Sequence, residues 1–251
     1  MDVICDIDGV VYRGDRVLPG SDAALVRLLD AGLGLWFATN NSTKTPATIS
    51  EKLTRITGVE IPEDWIVTSS QAAVHLLGGD SGPVMVLGSD GIHSALSEAG
   101  VEVTENPAEA SALLVGLDWD LDYNRLTRAA DAVRAGARFI ATNTDPTYPV
   151  ADGLLPGGGA IVAAVQVTTG KVPEVAGKPH PPMRSLLRAK GITDAWVIGD
   201  RVDTDVALAA AEDDWASILV LTGVTPAEEA SGADHVVPDL ASAIDLVLAT
   251  S

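Results

Sequence analysis

The 251-residue chain reads as an α/β protein: a doubly wound, Rossmann-like parallel sheet with a second, smaller α/β domain inserted into it. Three observations carry that reading. Short β-branched apolar runs alternate with Ala-rich amphipathic segments along the whole length. Several of those runs are apolar throughout, as strands covered on both faces are. Between two breaks rich in Gly, Ser, Thr and Pro lies a stretch of about 90 residues, enough for a small domain of its own.

The elements follow in order. Met1-Asp2-Val3-Ile4-Cys5-Asp6-Ile7-Asp8-Gly9-Val10 is a short strand that delivers Asp6 and Asp8 just before a glycine. Residues two apart in a strand share a face, so both carboxylates can converge where the strand ends. Carboxylates in apolar surroundings are paired or metal-bound. Such a pair can hold a divalent cation through hard oxygens, or divide nucleophile and acid–base roles. An Asp-Gly turn accounts for the same residues without chemistry.

Ser21–Leu29 is an amphipathic helix, and Leu35–Ala38 a strand that ends in Thr39, Asn40, Asn41 and Ser42. These polar residues are read as opening the next helix, Pro46–Ile56. A helix start offers free N–H groups and a positive dipole end to a phosphate, while ordinary N-capping uses the same residue types. The loop Gly78-Gly79-Asp80-Ser81-Gly82-Pro83 is a linker by composition, and Thr168-Thr169-Gly170-Lys171-Val172-Pro173 is a second break. The expected division is therefore residues 1–79 with 176–251 as one domain and 80–175 as the insert.

Within the insert, Val84–Leu87, Ala112–Val115 and Arg138–Ala141 read as strands and Tyr123–Arg134 as a helix. Ala135-Gly136 leads to Ala141-Thr142-Asn143 at the spacing by which Ala31-Gly32 leads to Ala38-Thr39-Asn40. Both domains thus present Thr-Asn at a strand tip. After the insert, Gly177-Lys178-Pro179-His180-Pro181-Pro182 is a rigid loop with one lysine, suited to neutralise a phosphate or simply solvated. His180, between prolines, reads as structural. Helix Pro182–Ala189 leads to strand Ala195–Ile198, which exits through Gly199-Asp200-Arg201-Val202-Asp203-Thr204-Asp205. Helix Val206–Ala211 and strand Ser217–Leu221 complete the pattern. In parallel sheets ligands sit beyond the carboxyl ends of strands, and four polar sites fall there.

Sixteen Lys and Arg against thirty-five Asp and Glu leave a net charge of −19. That field repels nucleic acid and anionic membrane surfaces, so neither is an expected partner. A phosphorylated substrate then needs a metal and local cations. Hydrophobic residues make up 47%, ample for a core. Cys5 is the only cysteine, which rules out an internal disulfide and suits a reducing compartment. No signal-like segment precedes the first strand, and no apolar stretch reaches the ~20 residues of a membrane span. A cytoplasmic location is expected.

Taken together, Asp6-Ile7-Asp8-Gly9-Val10, Phe37-Ala38-Thr39-Asn40, Lys178 and Gly199–Asp205 resemble, in order, the four motifs of the haloacid dehalogenase superfamily of aspartate-nucleophile phosphotransferases. The long insertion between Thr39 and Lys178 resembles its branch with a large α/β cap, the NagD-type or p-nitrophenyl phosphatase-like group. Asn40-Asn41-Ser42, Gly116-Leu117-Asp118, Ala141-Thr142-Asn143 with Asp145, and Gly177-Lys178-Pro179 are similar to that group as well.

The resemblance implies hydrolysis of a small phosphomonoester, such as a glycerol phosphate, phosphoglycolate or a nucleoside monophosphate. Asp6 would be the nucleophile and form an aspartyl-phosphate, with Asp8 as acid and then base. Mg2+ would be held by Asp6, the backbone carbonyl of Asp8, Asp200 and, as support, Asp205. Gly9, Thr39, Asn40 and Lys178 would bind the phosphoryl group, with Asn143, Asp145 and Tyr148 on the cap side. Tyr148 is the residue expected to touch the organic part, although a packing aromatic in a proline-flanked turn has the same sequence. Gly157-Gly158-Gly159 is similar to a phosphate-cradling helix start but lacks a following Lys-Ser/Thr. Cap surfaces of the group also carry homodimer contacts, though no distinct apolar stripe marks one here. Two other functions use a reactive aspartate: dehalogenation, which needs neither Asp8 nor a metal, and a phospho-aspartate signalling domain, which is about half this length.

Overall fold

A computed structural model describes residues 1–79, 81–150 and 153–250. Asp80, within the expected linker and first in the expected insert, lies outside the described residues, as does the terminal Ser251. Two compact units are present. One comprises Met1–Thr39, Ala47–Val67 and Arg184–Ser251, and the other Asn40–Pro46 and Thr68–Met183.

The first unit is built on β1 (Asp2–Cys5), the two short strands β2 (Tyr12–Arg13) and β3 (Arg16–Val17), α1 (Ser21–Asp30), β4 (Gly34–Thr39), α2 (Pro46–Thr57) and β5 (Ile66–Thr68). The second adds α3 (Ser69–Leu77), β6 (Val84–Leu87), α4 (Asp90–Glu98), β7 (Ala112–Val115), α5 (Tyr123–Ala135), β8 (Arg138–Ala141), β9 (Thr147–Val150), β10 (Gly153–Pro156), α6 (Gly158–Thr169) and β11 (Glu174–Val175). The chain closes with α7 (Pro181–Ala189), β12 (Ala195–Gly199), α8 (Ala207–Ala209), β13 (Trp215–Val220), β14 (His235–Val237) and α9 (Leu240–Thr250).

Strand order in the six-stranded sheet is β14-β13-β12-β1-β4-β5. Counted by their place in the chain these strands run 6-5-4-1-2-3, the doubly wound order whose direction reverses beside the first strand. That reversal lies between β1 and β12, which pair in parallel with Cys5 opposite Ile198. Val3, Ile4 and Cys5 are all buried, so β1 is covered on both faces. On one face Val3, Cys5, Leu35 and Phe37 pack with Leu25 and Leu28 of α1, Leu53 of α2 and Ile244 and Val247 of α9.

The second unit holds the four-stranded sheet β11-β8-β7-β6, parallel throughout, and the antiparallel pair β9–β10. Leu113 and Val115 of β7, Phe139 of β8, Ala132 and Val133 of α5 and Val162 and Val165 of α6 form its core. Local chemistry sets the helix ends. Asp122 accepts the Arg125 N–H at 2.7 Å to start α5, and Gly136, with φ of 110°, lets the chain leave it. Thr68 and Gln71 cap α3 reciprocally.

Two expectations change. The chain does not become helical at Asn40–Ser42, because α2 begins only at Pro46. Pro46 suits a first helical position and disfavours helix at Thr45 before it. Asn41 also forms its own turn, its Oδ1 accepting the Thr43 N–H at 2.9 Å and hydroxyl at 2.8 Å. Second, the expected helix Val206–Ala211 is α-helical only over Ala207–Ala209 and follows a π-turn at Val202–Val206. Tyr148 lies in strand β9, so the turn of its alternative reading is absent.

Candidate active site

In the first unit, the carboxylates of Asp6, Asp200 and Asp205 come together, with one oxygen of each within 4.8 Å of the others. Each arrives by a different local route. Asp6 follows the last residue of β1, and its N–H is bonded to the Ile198 carbonyl of β12 at 2.8 Å. Asp200 follows the last residue of β12, on the other side of the sheet reversal. Its Oδ2 accepts the Val224 N–H at 2.6 Å. Asp205 is turned inward by the π-turn, in which the Val206 N–H reaches back to the Arg201 carbonyl at 3.2 Å. The Arg201 N–H then donates to Asp205 Oδ2 at 3.2 Å.

Close backbone approach makes room for these carboxylates. Gly9 has φ of 88°, and a Cβ there would lie 2.6 Å from Asp200 Oδ2. At Gly199 a Cβ would lie 2.2 Å from the Cβ of Asp205. Asp200 and Asp205 are both only 2% exposed. Three carboxylates so placed repel one another, and an all-oxygen donor set is what a hard divalent cation takes. The residues fit such an ion.

Asp8 stands apart from that trio. Because β1 stops at Cys5, the two-residue strand period does not extend to Asp8. Instead Asp8 bridges to Tyr12, and the Gly9 N–H donates to the Tyr12 carbonyl at 2.8 Å. Asp8 thereby sits at the base of the β2–β3 hairpin. The dipeptide Gly14-Asp15 between short strands was the signal for that hairpin, and the sequence reading passed over it. Thr39, at the tip of β4, is buried.

In the second unit a different cluster forms around Asn40. Its Oδ1 accepts the Lys178 N–H at 2.8 Å, and its Nδ2 donates to the Lys178 carbonyl and to Asp145 Oδ1, both at 3.2 Å. The Asn40 carbonyl accepts Asn143 Nδ2 and the Ser69 hydroxyl, both at 2.7 Å. Asn143 Oδ1 takes the Asp145 N–H at 3.1 Å. Lys178 is 5% exposed, and a Cβ on the preceding Gly177 would lie 2.4 Å from Asn40 Oδ1. The structure thus joins Asn40, Asn143, Asp145 and Lys178, as four of the sequence candidates. The clamp of the Asn40 amide on the Lys178 backbone was not legible beforehand.

The glycine run differs from expectation, and Tyr148 gains a neighbour. Gly157 and Gly159 donate their N–H groups to the carbonyls of Pro146 and Asp145, both at 2.9 Å, so they lock the 145–147 segment rather than cradle an anion. Tyr148 meets Trp119 edge-on, with ring centroids 5.5 Å apart. Trp119 was not singled out in sequence. The loop bearing it is held by Asp118, which accepts Arg125 Nη2 at 2.6 Å and the Asp120 N–H at 3.0 Å.

Comparison with known proteins agrees with this architecture. The family profile described as haloacid dehalogenase-like hydrolase matches residues 3–102, and the related HAD-hydrolase-like profile matches residues 175–243. D-glycerol 3-phosphate phosphatase of Mycobacterium tuberculosis is 36% identical over 93% of this chain, which spans 66% of that protein. Acid sugar phosphatase of Staphylococcus haemolyticus is 35% identical over 92% of this chain and 89% of its own length. Among solved structures, p-nitrophenyl phosphatase from Archaeoglobus fulgidus superposes with a TM-score of 0.89 at 33% identity, covering 98% of both chains. Glycerol phosphate phosphatase from Mycobacterium tuberculosis, solved with calcium and with magnesium, gives TM-scores of 0.89 and 0.87 at 34% identity. Those matches cover 96% of this chain and 74% and 75% of the other. That relative was thus solved with divalent cations, the kind of ion that the three-carboxylate cluster fits. The chain belongs to the haloacid dehalogenase-like hydrolases, on the NagD-type, p-nitrophenyl phosphatase-like branch, and is a phosphoric monoester hydrolase.

Proposed function

We propose that this chain hydrolyses a small phosphorylated polyol or sugar, with Mg2+ as its cation and Asp6 as the group that carries the phosphoryl intermediate. The meeting of Asp6, Asp200 and Asp205 at the β1–β12 reversal is the observation that supports this reading best. The relatives named for glycerol 3-phosphate and acid sugars suggest the substrate class. Neither nucleic acid nor a membrane surface suits a chain of net charge −19. Among the described residues, no helix is long and apolar enough to cross a membrane.

In this reading Asp6 attacks phosphorus and the P–O bond to the alcohol breaks. Asp8 gives its proton to the leaving oxygen, then takes one from the water that attacks the aspartyl-phosphate. Thr39, the N–H of Asn40 and the Lys178 ammonium orient the phosphoryl oxygens, with Gly9 beside them. Asp200 and Asp205, with Asp6 and the Asp8 carbonyl, hold the cation. When bound, that ion offsets the repulsion between the Asp6 carboxylate and a phosphate dianion. Mg2+ suits this role because it demands compact oxygen coordination, which Ca2+ does not.

The division of labour follows the chain. Residues 1–79 and 176–251 form the catalytic core, and 80–175 a cap in which Asn143, Asp145 and Tyr148 read the alcohol. The cap is also the place for a homodimer contact, and the enzyme works in the cytoplasm. The test is release of phosphate from p-nitrophenyl phosphate and from a panel of polyol and sugar phosphates, with Mg2+, with Ca2+ and with chelator. Turnover that needs Mg2+ is expected. No release from any ester by folded protein would sink the proposal.

A further inference from the structure

We propose that Lys52 is a positioning residue for proton transfer: from helix α2 it pins the β2–β3 hairpin, at whose base Asp8 stands. This rests on the acid–base role given to Asp8 above. The Lys52 side chain is only 13% exposed, a rare placement for lysine unless its charge has partners. Its ammonium lies 3.8 Å from the centroid of the Tyr12 ring, donates to the Gly14 carbonyl at 2.8 Å and stands 3.5 Å from Asp15 Oδ1. One charge therefore engages the first strand of the hairpin and both residues of its turn.

The hairpin's own ladder is too short to hold it. It has only two rungs, Tyr12 with Val17 and Arg13 with Arg16, and a lone two-stranded ribbon is marginal in water. Val10, Val11 and Tyr12 anchor its first strand in the core, and the Leu18 N–H bonds the Val11 carbonyl at 2.9 Å; beyond that its place is set by polar contacts on two flanks. On one, the Thr222 hydroxyl donates to the Gly9 carbonyl at 2.6 Å and Arg13 donates to the Thr222 carbonyl at 2.5 Å. On the other stands Lys52. Motion of Tyr12 is transmitted to Asp8 directly, through the Asp8–Tyr12 bridge and the bond from the Gly9 N–H to the Tyr12 carbonyl. A general acid works only within hydrogen-bond reach of the leaving oxygen, so a slack hairpin costs proton transfer first.

Leaving groups separate this role from mere stability. As the P–O bond breaks, an alkoxide needs the Asp8 proton, whereas p-nitrophenolate departs without one. For both ester types kcat/KM reports the step up to phosphoryl transfer to Asp6. In Lys52→Met, kcat/KM for the alkyl phosphate that the unaltered enzyme turns over fastest should fall about 30-fold or more, and for p-nitrophenyl phosphate less than about 3-fold. Lys52→Arg keeps the charge and the ring contact and should recover most of the alkyl-ester activity. Should the methionine variant not fold, Tyr12→Leu removes the ring face while keeping an apolar side chain in the core, and should show the same selective loss. Equal losses on both ester types, or none on either, would overturn the proposal. Absence of all turnover by the unaltered enzyme with Mg2+ would instead overturn the phosphatase reading beneath it.

Discussion

In the six-stranded sheet β4 leaves through Ala38-Thr39-Asn40, and in the four-stranded sheet β8 leaves through Ala141-Thr142-Asn143. The chain pattern is the same, but the neighbours differ. Beside β4 runs β1, which leads into Asp6 and in turn borders β12, which leads into Asp200. Beside β8 runs β11, after which the Gly177 N–H binds the Thr142 carbonyl at 2.8 Å and Lys178 follows. The β1 and β12 tips therefore gather carboxylates that fit a cation, whereas at the β8 tip amides, a hydroxyl and the Lys178 backbone bond one another, with Asn40 from the β4 exit among them. Strand order, rather than the exit motif, decides which chemistry appears at a tip.

The sharpest way to break this contrast is to neutralise the first carboxylate. Asp6→Asn should reduce kcat by at least about ten-thousand-fold with the melting curve intact, as loss of a nucleophile does. A variant keeping one percent of activity would remove Asp6 from that role. Chelation comes next. Stripping the cation should abolish turnover and lower Tm, because the three carboxylates then face one another unscreened. In chelator, Asp200→Asn should melt about 2–4 °C above the unaltered protein, since it removes one of the repelling charges yet can still accept the Val224 N–H. A lower Tm would show that the cluster carries no repulsion.

The amide cluster should respond differently, through backbone order. Asn40→Ala leaves the buried N–H and carbonyl of Lys178 without their partner, a loss of about 2–3 kcal/mol, and should cut kcat/KM by roughly tenfold or more. Asn143→Ala should cost less, about 1 kcal/mol, because the Asn40 carbonyl keeps the Ser69 hydroxyl. Urea midpoints and phosphate release measure both, and the reverse ranking would displace Asn40 from the centre of the network.

The smallest effect is a pH dependence away from both tips. The Ser217 N–H, then its hydroxyl, hold the Asp234 carboxyl below the usual carboxylate range. Its ionised form is therefore favoured in the fold, so its contribution is present at neutral pH and is lost as pH falls below about 4. Asp234→Asn should lower stability at pH 7 by about 1 kcal/mol and make less difference at acid pH. Denaturant midpoints at the two pH values check the sign. A gap that widens in acid would reverse it.

Much of the architecture was legible in the chain. Val84–Leu87, Ala112–Val115 and Arg138–Ala141 are strands over the residues their apolar runs mark, because a strand buried on both faces leaves a local signature. The acidic exit after β12 was legible for the same reason: charge at the end of an apolar run stands out. The start of α2 at Pro46 was legible, but Asn40–Ser42 is no helix opening, because Asn and Ser cap turns as readily as helices. The hairpin was missed because two-residue strands carry almost no pattern.

By itself the sequence determined the reaction class: Asp6, Asp8, Thr39, Lys178 and Asp200 stand in an order that few other chemistries use. Tertiary structure decided who serves whom. It drew Asp205 into the carboxylate trio through a π-turn, committed the Asn40 amide to the Lys178 backbone, and set Lys52 on the hairpin below Asp8. The reason is physical. Periodicity and capping are local and leave their mark within a few residues, whereas these contacts join residues far apart in the chain and exist only once the sheets order their strands.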